Sequence, residues 1–138
     1  MPSFSARSQS ILNTVDPRLQ EICLRVIEHY DFTVLSGFRT KEEQDDLFAE
    51  GKTTLAWPKS KHNQNSSGQS IPPSRAVDVA PYPIDWNDSK RFIFMAGLMF
   101  QAAHDLGYKI RWGGNWDNDD VIIDDQNFDD LPHFELIE

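Results

Sequence analysis

One carboxylate, Asp78, interrupts the short apolar run Ala76-Val77-Asp78-Val79-Ala80, which Pro81 closes. A buried, unpaired carboxylate costs roughly several kcal/mol, so any fold that buries this run must bring Asp78 a cation, a hydrogen-bond cage or solvent. What meets Asp78 is therefore the first question the sequence poses.

The chain has 138 residues, which suits a single domain, 1–138, around one core. With 25% charged and 39% hydrophobic residues the composition is that of an ordinary soluble protein. No apolar stretch approaches the ~18–20 residues of a membrane span, so no stable membrane association is expected. The first ten residues lack the apolar core of a secretory signal, and export by that route is not expected. The lone cysteine, Cys23, excludes an intramolecular disulfide and suits a reducing compartment.

The formal charge of −9 is unevenly placed. Residues 117–138 hold nine acidic side chains and no Lys or Arg, whereas residues 1–116 hold thirteen of each sign and are neutral. Such a chain repels a phosphate backbone and carries no compensating basic patch. Nucleic acid is excluded as a partner; a cation is favoured.

Residues 1–15 are polar and Ser-rich and read as an N-terminal arm docked by Phe4, Ile11 and Leu12. Asp16-Pro17 predicts an N-cap and first helical position, opening a helix of about four turns with Leu19, Ile22, Cys23, Val26, Ile27 and Tyr30 on one stripe. A short strand is predicted over 32–36. Thr40 with Glu43 forms a capping box for a second helix through Gln44, Leu47 and Phe48, stopped by Gly51. Residues 52–75 show no sustained period and read as a long loop, which in so small a domain is functional or disordered. A third helix follows capping residues in 85–89, carries Phe92, Met95, Met99 and Ala103, and stops at Gly107. Strands are predicted over 108–112, 121–123 and 133–137, the last with Phe134 and Leu136 on one face and His133, Glu135 and Ile137 on the other. Without a βαβ rhythm, this order predicts an α+β fold with a small, mainly antiparallel sheet and about three helices.

Of the four histidines, His29 lies near a helix end and His104 on a polar helix face, both ordinary surface positions. His62 lies in the irregular loop and His133 opens the last strand. Two imidazoles and a carboxylate with a fourth position open to water form a known catalytic zinc arrangement, in which the pKa of that water falls to about 7. The spacing of His62, Asp78 and His133 alone leaves both this and structural packing open.

Larger motifs add to it. Ser60-Lys61-His62, Ser74-Arg75-Ala76-Val77-Asp78 and His133-Phe134-Glu135 resemble, in order, the Ser-x-His, Ala-x-Asp and His-x-Glu motifs of the zinc DD-peptidase family. Ser36-Gly37-Phe38-Arg39-Thr40 followed by Gln44 resembles its Gly-x-Arg-Thr segment. Trp112-Gly113-Gly114-Asn115-Trp116 resembles the Trp-Gly-Gly-Asp-Trp segment before the last ligand. The family holds VanY-type D-alanyl-D-alanine carboxypeptidases, D-alanyl-D-alanine dipeptidases and phage endolysins that are L-alanyl-D-glutamate peptidases. The likeness runs from about residue 16 to the C-terminus and is closest to the endolysin branch.

The resemblance implies a hedgehog/DD-peptidase-like fold and one Zn2+ per chain held by His62, Asp78 and His133. It implies Asp130 as the general base and Arg39 as the group polarising the scissile carbonyl, with Ser60 and Glu135 orienting the ligands. Fifteen residues separate His62 from Asp78, more than in the family's compact form, and Ser74 stands where a glycine is usual. Residues 63–73 are thus expected to bulge outward as an insertion, since added loop length costs little. Without the family, Arg39 is simply a surface cation beside Glu42 or Glu43, Asp130 a solvated acid, and Trp112 and Trp116 core and rim packing. Asp117, Asn118, Asp119, Asp120, Asp124 and Asp125 supply hard oxygens for a regulatory Ca2+, though without an EF-hand register.

The function expected is that of a monomeric phage endolysin cutting the L-alanyl-D-glutamate bond of bacterial peptidoglycan. It would accumulate in the host cytoplasm and reach the wall once the membrane is permeabilised. The alternatives are a D-alanyl-D-alanine carboxypeptidase or dipeptidase of the same fold, and a non-catalytic zinc-binding module.

Overall fold

The computed structural model describes residues 2–116 and 130–137. The elements are α1 (Ala6–Leu12), α2 (Pro17–Ile27), β1 (Phe32–Ser36), α3 (Lys41–Ala49), a 3-10 turn (Lys61–Asn63), β2 (Ala76–Pro81), α4 (Ser89–Leu106), β3 (Ile110–Gly113) and β4 (Asp130–Leu136). The strands form one antiparallel sheet in the order β1-β2-β4-β3. The fold is α+β. Among the described residues no helix is long and apolar enough to cross a membrane.

The capping signals work as written. The Asp16 carboxylate accepts from Arg18 N at 2.9 Å ahead of Pro17. Thr40 and Glu43 satisfy each other's backbone N–H at the start of α3, and Gly107 stops α4 in the left-handed region. Helix α2 ends at Ile27, earlier than its stripe predicts, because the N–H groups of His29 and Tyr30 both turn back to Val26 O before β1 begins. The predicted strand over 121–123 lies outside the described residues.

A fourth helix, α1, occupies the segment read as an arm. Its stripe is short, so local pattern does not announce it; Ser5 caps it, and tertiary contact holds it. The buried Ser8 hydroxyl accepts from Val34 N at 3.1 Å, so α1 satisfies part of the otherwise open edge of β1. Leu12 and Val15 are fully buried.

Side chains alternate across each strand, and this alternation positions the site. Val77, Val79, Phe134 and Leu136 enter the core with α2 and α4, where Leu19, Ile22, Met95 and Met99 are fully buried. Each such side chain contributes about 1.5–3 kcal/mol relative to exposure. Asp78, His133 and Glu135 point to the opposite face.

Cys23 is fully enclosed on α2, and burial pushes its thiol up to about 12. Native protein should therefore resist alkylation at pH 8 and react promptly once denatured. Rapid labelling of the folded chain would contradict this packing.

Candidate active site

Strand register supplies the first two groups. Asp78 and His133 are directly opposed on β2 and β4, so their side chains share one face although 55 positions separate them. The third comes from the 3-10 turn. Ser60 accepts from His62 N and Asn63 closes the turn on Ser60 N, while Arg39 N donates to His62 O at 2.8 Å. The ring itself is set by Gly37, whose carbonyl faces His62 Nδ1 at 2.8 Å. A β-carbon at Gly37 would lie 2.3 Å from Thr14 Oγ1 and 2.9 Å from Ile11 O, so only glycine lets this carbonyl approach.

His62 Nε2, Asp78 Oδ1 and His133 Nδ1 form a triangle with sides of 3.1, 3.2 and 3.2 Å. All three residues are buried. The outer ring nitrogens fix what the inner ones carry. His62 Nδ1 donates to a carbonyl and His133 Nε2 to Glu135 Oε1 at 2.8 Å, both acceptors only. In neutral rings the inner nitrogens are thus lone pairs, and with the carboxylate oxygen they converge on one point. Such a triangle is repulsive unless a cation, proton or metal, sits within it. Tetrahedral coordination at about 2.0–2.1 Å gives ligand separations of roughly 3.3 Å, close to those observed. The donor set therefore fits a divalent metal ion such as zinc.

The charges around it are strongly coupled. Burial works against ionised Asp78, but the His62 and His133 rings hold its carboxyl well below the usual range. Burial likewise works against charged His133, yet the Asp78 and Glu135 carboxylates lift it to about 9. Glu135 is held low, against its burial, by His133 and by Arg111, which donates to Oε2 at 2.9 Å. Arg111 in turn lies over the Trp116 ring, which packs 5.4 Å from His133.

Arg39 and Asp130 lie in the same cleft of about 340 Å³ as His62, His133 and Glu135. Arg39 pairs with Asp78 Oδ2 at 3.1 Å, so the bland reading of a surface cation beside Glu42 or Glu43 does not hold. Asp130 begins β4, and its carboxyl is raised above the usual range by burial first and by the Asp78 charge second. Its backbone lies against Gly113, where a β-carbon would sit 1.9 Å from Asp130 O. The Trp-Gly-Gly segment is thus the bed on which Asp130 rests. Trp112 packs in the core on Phe134 and donates to Leu131 O, while Trp116 is at the rim.

Ser60 touches the backbone of His62, not its ring; the orienting acceptor there is Gly37, which the residue pattern did not single out. Gln44 and Asn63 brace the turn and Arg39, not the His62 ring; Asn63, expected to bulge outward with the insertion, is instead fully buried and closes the turn. Fully buried Gln44 receives Asn63 Nδ2 at 3.2 Å and donates to Leu55 O at 2.7 Å, with Arg39 Nη1 at 3.5 Å. The available signal was a glutamine on the inward stripe of α3. His29 and His104 are exposed. The insertion closes at its base where Arg75 N donates to Gln64 O at 2.9 Å, so residues 65–73 project without displacing the ligands. The segment 117–125, expected as a calcium site, lies outside the described residues.

By sequence and by fold, this chain belongs with peptidases. More particularly, this chain belongs to the phage L-alanyl-D-glutamate peptidase family, whose model matches residues 2–137. It is 37% identical over 119 residues to the L-alanyl-D-glutamate peptidase of Escherichia phage T5, covering 82% of this chain and 80% of that protein. The L-Ala D-Glu endopeptidase ChiX of Serratia marcescens has a similar structure, with a TM-score of 0.72 and 26% identity over 97% of this chain and 89% of that one.

Proposed function

We propose that this protein is a phage endolysin that hydrolyses the L-alanyl-D-glutamate bond of bacterial peptidoglycan, using one zinc ion held by His62, Asp78 and His133. The observation that carries the reading is the convergence of three lone pairs on one buried point, in a cleft shared with Arg39 and Asp130. Family membership and the two named relatives supply the bond class. Zinc in this site would supply an acidified water and a Lewis acid for the scissile carbonyl.

The protein's own groups do the rest. Asp130 takes a proton from the attacking water on its carboxylate and passes it to the departing amine, as its place in the cleft beside His62 and His133 suits. Arg39, held in place by Asp78 and flanked by Gln44, directs its guanidinium at the oxygen that gains charge. Glu135 keeps His133 in the tautomer that turns Nδ1 inward. The reading includes a single catalytic domain acting as a monomer, made in the host cytoplasm and released onto the wall after the membrane is permeabilised.

Digestion of purified peptidoglycan followed by mass spectrometry tests it. New glutamyl N-termini are expected, abolished by chelator and restored by zinc. Release of D-alanine alone would instead indicate a carboxypeptidase, and tight zinc without turnover a binding module. Glu135→Gln should weaken zinc binding by about 10–100-fold while leaving the fold intact; unchanged affinity in a zinc-competition titration would remove Glu135 from this role.

A further inference from the structure

The chain is acidic overall, yet among the described residues bases outnumber acids along its cleft. Five of the thirteen basic residues, Arg39, Lys52, Lys59, Lys61 and Arg111, line it. Arg39 and Arg111 are engaged by Asp78 and Glu135, and Lys52 reaches Glu50 at 3.2 Å. Lys59 and Lys61 enter no ion pair among the described residues. They flank Ser60, the cap of the turn that carries His62, so both ammonium groups arise from backbone fixed one and three residues before the centre. Both side chains line the cleft that holds His62 and His133, so an anion entering it would meet two cations without an ion-pair partner among the described residues.

The proposed substrate carries such an anion. Hydrolysis of an alanyl-glutamyl bond releases the glutamyl amine. Glutamate has two carboxyl groups, and the stem peptide continues through only one. The other remains free on the leaving side, one or three carbons from the scissile nitrogen. We infer that Lys59 and Lys61 form a carboxylate subsite for this free group, making them specificity-determining residues for the acidic stem over its amide. The inference rests on the L-alanyl-D-glutamate reading above.

Kinetics on two synthetic stem peptides test it: one with a free glutamyl α-carboxylate and γ-linked chain, the other its α-amide. For the zinc-loaded wild type, KM should be lower for the acid, and this preference should shrink as salt is raised. Lys59→Gln with Lys61→Gln should raise KM for the acid by about tenfold or more with little change in kcat, and affect the amide far less. The paired Arg variants should restore the preference, whereas Lys90→Gln, an equal charge loss on α4 outside the cleft, should alter neither peptide. Equal losses on both peptides, or an unchanged acid preference in the double Gln variant, would overturn the subsite while leaving the bond specificity standing. Cleavage of neither peptide by the wild type would overturn both.

Discussion

Asp130→Asn should lower kcat by on the order of 10²–10⁴ while the protein still binds one zinc per chain. The amide keeps the shape of the side chain and its place at the start of β4, beside Gly113, but cannot accept a proton. Zinc content by mass spectrometry and turnover of purified peptidoglycan separate the two effects. The same residue sets the acid side of the pH profile. Burial and the neighbouring Asp78 charge raise the Asp130 pKa, and the base works only when deprotonated. Activity should thus fall with decreasing pH as Asp130 takes up a proton, and that limb should vanish in the variant's residual rate. Full activity of Asp130→Asn would require a different base.

The second large effect is expected at Asp78. Asp78→Asn removes the charge that faces both inner imidazole nitrogens and Arg39, at nearly constant volume. Wild-type protein at free zinc a thousandfold above its Kd should gain about 4 kcal/mol of stability. For a domain of this size that is a rise in Tm of roughly 10 °C. The variant should show almost none of this and no turnover. Metal binding should also compete with a proton. Without metal, His133 titrates at about 9, above its ordinary value, so the stability it gives the metal-free fold is fully present below about 6.5 and lost as pH rises through 9. Zinc must displace that proton, and its apparent affinity should increase with pH up to about 9. A zinc-induced Tm rise in Asp78→Asn equal to the wild type's would place the metal elsewhere.

Much of this arrangement is legible in the residues, for identifiable reasons. Caps at Asp16, Thr40 and Gly107 are local chemistry, and α2, α3 and α4 follow from them. The alternation in 133–137 sends Phe134 and Leu136 to the core and His133 and Glu135 to the site, as strand geometry requires. Asp78 announces itself because an apolar run cannot hide a carboxylate without partners. Spacing could not show that those partners are His62 and His133. Their meeting depends on the β2–β4 register and on the turn at Ser60, which join positions 16 and 55 residues from Asp78. Helix α1 escaped because its apolar stripe is only Ile11 and Leu12, and a hydroxyl, that of Ser8, docks it on the edge of β1. The Gly37 carbonyl escaped for a similar reason: a backbone acceptor leaves no mark in the side-chain pattern.

Anomalous diffraction at the zinc edge, on crystals grown with one equivalent of the metal, bears most directly on the proposed centre. One peak per chain is expected, about 2.0–2.2 Å from His62 Nε2, Asp78 Oδ1 and His133 Nδ1. A peak bound by other side chains, or none at these three in active protein, would contradict it.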